Sequence, residues 1–140
     1  MITVQNRQRK VPLDLTALRD FSRKALTAVL AEPAQPDDVL ADLDEIGVTI
    51  VSDAKIAKLH VDFMGIQGPT DVLTFEHGEI VISAETATRY GVEHSQAADD
   101  EVSLYILHGL LHLRGFDDLD PAAAEKMYAI QTRLFGQLKE

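Results

Sequence analysis

The chain contains no cysteine. That absence removes disulfides, thiol nucleophiles and thiolate metal sites together, so any metal must be held by histidine or carboxylate. Basic side chains are scarce: Lys plus Arg is 13 against 23 Asp plus Glu, a formal net charge of −10. That balance argues against broad, non-specific nucleic-acid binding, which needs a basic surface, while leaving room for a local basic groove. Long hydrophobic runs are missing too. The most apolar stretch, Leu104 to Leu113, is about ten residues and contains two histidines, where a membrane span needs about 20. The apolar residues 25–31, behind Arg23 and Lys24, are too few, begin too late and continue a helical pattern, so they do not read as a signal peptide. A cytoplasmic protein with no membrane partner is expected.

What is present fits one globular domain over residues 1–140. Of these residues 46% are hydrophobic and 26% charged, and a chain of this size buries roughly two-thirds of its unfolded surface. Residues 2–4 read as a strand, followed by a polar loop with Arg7, Arg9 and Lys10. Leu15, Leu18, Phe21, Ala25, Leu26 and Val29 recur at three- and four-residue steps and predict an amphipathic helix over 14–31, broken by Pro33 and Pro36. Ile46, Val48 and Ile50 predict a strand over 45–52, and Ser52 or Asp53 can cap a helix reaching Met64. Gly65, Gly68 and Pro69 make a loop. Residues 71–75 and 79–83 read as a tight hairpin around Glu76, His77 and Gly78. A short helix over 85–90 is expected to stop at Gly91. Asp99 or Asp100 can cap a long apolar helix ending at Arg114, with Gly115 just past its end. Asp120 and Pro121 open a last helix reaching about Leu138. The order predicts an α+β fold: a single domain with a small mixed sheet of about four strands and packed helices.

The chemistry concentrates in residues 108–118, His-Gly-Leu-Leu-His-Leu-Arg-Gly-Phe-Asp-Asp. His108 and His112 lie four apart in a predicted helix, one turn from each other on one face, which is how a helix offers two nitrogens to one metal. Gly115 can end that helix in the left-handed conformation, and Asp117 or Asp118 can then swing back toward the same point. Two nitrogens and one carboxylate leave a coordination position open, as catalytic zinc sites do. The helix C-terminus favours a cation as well. Spacing alone would equally allow a surface coincidence or a pairing with carboxylates. The apolar neighbours Leu107, Leu110, Leu111 and Leu113 favour the metal reading, because buried histidines need partners. Zinc proteases with such a helix carry glutamate directly after the first histidine; Gly109 stands there, which weighs against a peptide substrate.

These residues resemble the signature of the YbeY family of bacterial endoribonucleases and ribosomal RNA maturation factors, His-Gly-x-Leu-His-Leu-x-Gly-(Tyr or Phe)-Asp-His. Residues His108 to Asp117 fit that pattern. Pro69-Thr-Asp-Val-Leu-Thr-Phe75 is similar to the family's Pro-Thr-Asp-Val-Leu-Ser-Phe, and Gly78-Glu-Ile-Val-Ile-Ser83 to its Gly-Asp-Ile-Val-Ile-Ser. The likeness runs from about Ile46 onward. It implies an α+β fold, one zinc per chain held by three side chains of the signature, cleavage of single-stranded RNA, and a role in small-subunit ribosomal RNA processing with the small ribosomal subunit as partner. Two departures stand out. The family's third ligand is histidine, and Asp118 occupies that position, so His108, His112 and Asp118 are the expected metal ligands. A carboxylate is an acceptable zinc ligand, makes the site more negative and could admit manganese or iron. The family also carries an arginine after an aromatic residue shortly before the Pro-Thr-Asp block; here Phe63 is followed by Met64. Lys55, Lys58, Arg89 and Arg114 are the candidate substitutes.

The expected activity is thus a metal-dependent endoribonuclease, with no assigned general acid. Thr70 and Asp71 either line the cleft or merely cap a turn. Glu101, seven residues before His108, either orients a ligand histidine or is a helix-start acid favoured by the dipole. His60, His77 and His94 lack metal spacing and read as structural or solvated. Arg7, Arg9 and Lys10, with Arg19, Arg23 and Lys24, form either an RNA-facing strip or a solvated face. The acidic tract from Asp37 to Glu45 should point away from RNA. The alternative is a non-catalytic ribosome-assembly factor with a structural metal, which a closed site of four protein ligands would favour.

Overall fold

The computed structural model describes residues 1–139. Four strands form one mixed sheet: β1 (Ile2–Asn6), β2 (Ile46–Val51), β3 (Val72–Phe75) and β4 (Glu79–Ser83), in the order β1-β2-β4-β3. β1 pairs β2 and β2 pairs β4 in parallel; β3 and β4 are antiparallel, joined by the tight turn read from the sequence, with Gly78 at φ 104°. The five helices are α1 (Leu15–Leu30), α2 (Asp53–Met64), α3 (Ala84–Glu93), α4 (Ala98–Leu113) and α5 (Pro121–Leu138). A short 3₁₀ turn at Leu40–Asp42 has no counterpart in the sequence reading.

Alternation along the strands sends side chains to two faces. Val48, Ile50, Ile80 and Ile82 enter the main core with α1, α4 and α5, while Val51, Leu73 and Val81 pack against Ile56 of α2 on the opposite face. The α+β expectation, with about four strands, holds.

α4 is the central helix, touching α1, α3, α5 and the sheet. Its position explains its composition. Val102, Ile106, Leu107, Leu110 and Leu111 are all fully buried, so the helix is apolar nearly all round. At Gly109 a Cβ would lie 2.9 Å from Ile80 Cδ1. Glycine at this position lets α4 settle on β4, and a glutamate there would be driven into the sheet. That is the physical reason the protease pattern is absent.

The helix starts differ in detail from the sequence reading. Asp120 caps α5 as expected and Ser52, of the two candidates, caps α2; Asp14, read as the first residue of α1, is its cap, and each accepts a backbone N–H. α4 instead starts after Ala97, with Asp99, Asp100 and Glu101 in its first turn. α3 runs past Gly91, which is buried inside the helix because the Gln96 carbonyl sits 2.6 Å from where a Cβ would be. Asp53 ties α2 to α3 by accepting from Ser83, Thr86 and Arg89 at 2.5–2.7 Å. Partial burial raises its pKa, and these donors overcome that and hold it below the ordinary value.

Candidate metal centre

The end of α4 builds the site. The Gly115 N–H donates to the His112 carbonyl and the Phe116 N–H to that of Leu111, with Gly115 at φ 99°. This is a Schellman reversal, which glycine adopts without steric cost. The segment after α1 seals the remaining carbonyls: Gln35 N–H donates to Arg114 O and Val39 N–H to Leu113 O. Arg114 locks the crossing. Its buried guanidinium donates to the carbonyls of Leu30 and Glu32 and to Asp38. The reversal returns the chain toward the helix face carrying the histidines.

There, one ligand atom each from His108, His112 and Asp118 lies within 4.8 Å of the others. The two Nε2 atoms are 3.1 Å apart, with the rings at 83°. His108 Nδ1–H donates to Gln131 Oε1 of α5 at 2.8 Å. An amide oxygen only accepts, so this bond fixes the tautomer and leaves the His108 Nε2 lone pair aimed at His112. Burial, and then the neighbouring His108, push the His112 pKa down, against the opposing influence of Asp118, Phe116 and Asp117. His112 is therefore neutral at neutral pH, the form that binds metal. Two nitrogen lone pairs facing each other repel unless a proton or cation lies between them. Tetrahedral zinc with Zn–N near 2.0–2.1 Å places its nitrogens about 3.3 Å apart. The donor set thus fits a divalent cation, and no fourth metal-ligating side chain joins the cluster among the described residues.

The histidines stand on the wall of an open cleft of about 820 Å³. Thr70 and Asp71 line it, as does Met64 at the position of the family arginine. His60 lines it too, its Nδ1 3.0 Å from the Gly68 carbonyl. Asp117 reaches the wall but accepts from the Leu119 N–H and does not join the cluster.

Several expectations need correction. Of the two readings of Glu101 the helix-start acid holds: it stands in the first turn of α4, its Oε1 contacts His94 Nδ1 and accepts from Gln96, and Gln131 orients His108 instead. Sequence reasoning missed Gln131, whose one signal is a polar residue in the buried stripe Met127, Gln131, Leu134. The acidic tract does not turn wholly away, since Asp37 and Asp38 line the cleft, drawn there by the Asp38–Arg114 pair. None of the four candidate cations replaces the family arginine. Arg114 is committed to its carbonyls, Arg89 to Asp53, and Lys58 to Asp62, and Lys55 does not line the cleft. No Lys or Arg is on its wall among the described residues. His77 stacks on Phe75 and pairs with Glu79.

Fold and site together define a small α+β domain with a candidate metal centre where its central helix ends. The comparisons make that class specific. The family described as Endoribonuclease YbeY matches residues 3–139. An Endoribonuclease YbeY of Protochlamydia amoebophila is 35% identical over 111 residues, covering 71% of this chain and 73% of the relative. That of Thermobifida fusca is 30% identical over 143 residues, covering 90% and 86%. The solution structure of TM1509 from Thermotoga maritima superposes with a TM-score of 0.68 at 25% identity, covering 99% of this chain and 89% of that one. The chain belongs to the YbeY endoribonuclease family, whose members are zinc-dependent enzymes implicated in small-subunit ribosomal RNA maturation. No described helix is long and apolar enough to cross a membrane.

Proposed function

We propose that this chain holds one zinc ion through His108, His112 and Asp118 and cuts single-stranded RNA in the cleft above them. Small-subunit ribosomal RNA is its substrate, the small ribosomal subunit its partner and the cytoplasm its location. The observation that carries this reading is the convergence of three ligand atoms, from His108, His112 and Asp118, within 4.8 Å of one another, with both histidines on the wall of an open cleft. When bound, the ion supplies a Lewis acid for a phosphodiester oxygen and a water of lowered pKa. The chain's own contribution is positional. Gln131 holds His108 in the required tautomer, burial keeps His112 neutral, and the Gly115 reversal delivers Asp118.

Elemental analysis and cleavage of structured and single-stranded ribosomal RNA test this, with and without chelator. One zinc per chain is expected, with cuts confined to unpaired segments, lost on chelation and restored by zinc. His112→Ala should lose stoichiometric metal and cleavage together, while Asp118→His, which restores the family pattern, should retain both. Unchanged metal content in His112→Ala, or expulsion of metal by Asp118→His, would defeat the ligand assignment. The wall without Lys or Arg favours a second reading, a ribosome-assembly factor whose metal is structural. That reading predicts bound zinc and ribosome association with no cleavage.

A further inference from the structure

A second cavity, of about 300 Å³, shares Asp71, Val72 and His108 with the first. The chain has three tyrosines, and all three, Tyr90, Tyr105 and Tyr128, line it. They reach it from three helices, α3, α4 and α5. Tyr128 is 68% exposed at its edge, whereas Tyr105 is only 6% exposed. The Tyr105 hydroxyl is the one buried side-chain polar atom without a hydrogen-bond partner among the described residues. An orphaned buried hydroxyl costs free energy, so such a group calls for an explanation. Burial, followed by the proximity of Glu101, Asp71 and Tyr90, raises its pKa, so it stays a protonated donor. All three of those neighbours are also on the cavity wall. Glu101 lies close enough to act on the phenol, yet no bond of ordinary geometry closes between them.

Glu101 is itself 1% exposed, and its two hydrogen-bond contacts both involve Oε1, leaving Oε2 with none among the described residues. Gln131 is similarly half-used. Its Oε1 accepts from His108, and its Nε2 donates to no protein group among the described residues. Beside the carboxylates of Asp71 and Glu93, the cavity therefore offers two unused donors, one unused Glu101 oxygen and aromatic walls, with no Lys or Arg among its lining residues. Such a lining suits a flat, uncharged heterocycle with both donors and acceptors on its edge, and does not suit a phosphate.

We propose that this cavity is a subsite for one unpaired nucleobase of the bound strand, guanine fitting best. The N1–H group of guanine matches the vacant Glu101 oxygen, and its O6 matches the donors of Tyr105 and Gln131. Tyr128 supplies an exposed face for stacking. This deepens the proposed function and rests on RNA being the substrate of the neighbouring cleft. His108 and Asp71 line both cavities, so a base held in one places its backbone at the other. Base contacts also supply a grip on the strand where the cleft wall offers phosphate no Lys or Arg.

The test is binding of guanosine 5′-monophosphate and uridine 5′-monophosphate to the zinc-loaded protein by calorimetry, beside cleavage of RNAs differing only in single unpaired bases. Guanosine monophosphate should bind about tenfold tighter than the uridine compound. Tyr128→Ala should weaken it about tenfold by removing one stacking face. Tyr105→Phe should erase most of the guanine preference, and cut sites should follow guanine in the wild type. Should Tyr105→Phe fail to fold, as thermal unfolding would show, the exposed Tyr128→Ala still decides the matter. Equal binding of both nucleotides, or guanosine binding indifferent to Tyr128→Ala, overturns the subsite even if RNA is cleaved. Guanosine binding that depends on both tyrosines, in a protein that cuts no RNA, leaves the subsite standing and removes the nuclease reading instead.

Discussion

Gln131 sets the quality of the proposed zinc site although it touches no metal. Its amide oxygen takes the His108 Nδ1 proton at 2.8 Å, and the residue is buried between Met127 and Leu134 on α5. A leucine there would keep the apolar packing and remove the acceptor. The His108 ring would then be free to rotate and to change tautomer. Losing such a supporting bond costs about 10–100-fold in metal affinity. Gln131→Leu should therefore unfold at nearly the wild-type temperature while releasing zinc to a competing chelator at correspondingly lower concentration. Unchanged zinc affinity in a folded variant would show that the amide has no part in holding the ring.

Among the elements, the reversal after α4 matters most. A side chain at Gly115 meets two obstacles. The φ of 99° is left-handed, and a Cβ would fall 2.8 Å from Gln35 Cβ and 2.9 Å from the Asp38 nitrogen. The conformation costs an L-residue roughly 1–2 kcal/mol and forced repacking another 1–3. Gly115→Ala should lose about 2–5 kcal/mol of stability in urea unfolding, with weakened zinc binding because Asp118 follows the turn. This reversal was legible in the sequence, as were both histidines, because helix period and a terminal glycine are local signals. Asp118 needed the family resemblance to be chosen over Asp117, and the structure puts Asp118 in the cluster. Gly91 misled for an opposite reason: the approach of Gln96, not the end of a helix, requires glycine there. Gln131 and the Asp38–Arg114 pair were illegible because they join residues 23 and 76 positions apart. No local spacing encodes such contacts.

Over the whole molecule, charge sets how a strand can be held. The net charge is −10, and the cations are largely spoken for. Lys24 and Arg23 pair with Asp20, Lys10 with Glu85, Lys139 with Asp100 and Arg133 with Glu32. Neither cavity presents a Lys or Arg, and Asp37, Asp71, Glu76 and Asp117 line the larger one. A protein that grips single-stranded RNA by its phosphates loses affinity with salt at about 0.7 logarithmic units per contacted phosphate. Here the wall supplies no such contact, and long-range repulsion between chain and strand is screened as salt rises. The affinity of zinc-loaded protein for a short guanine-containing single strand should therefore change less than about threefold between roughly 50 and 200 mM potassium chloride. Fluorescence anisotropy with a labelled strand measures it. A fall of tenfold or more would place the grip elsewhere, on the exposed strip of Arg7, Arg9 and Arg19. Mutating those arginines should then flatten the salt dependence, whereas base-driven binding leaves it flat from the start.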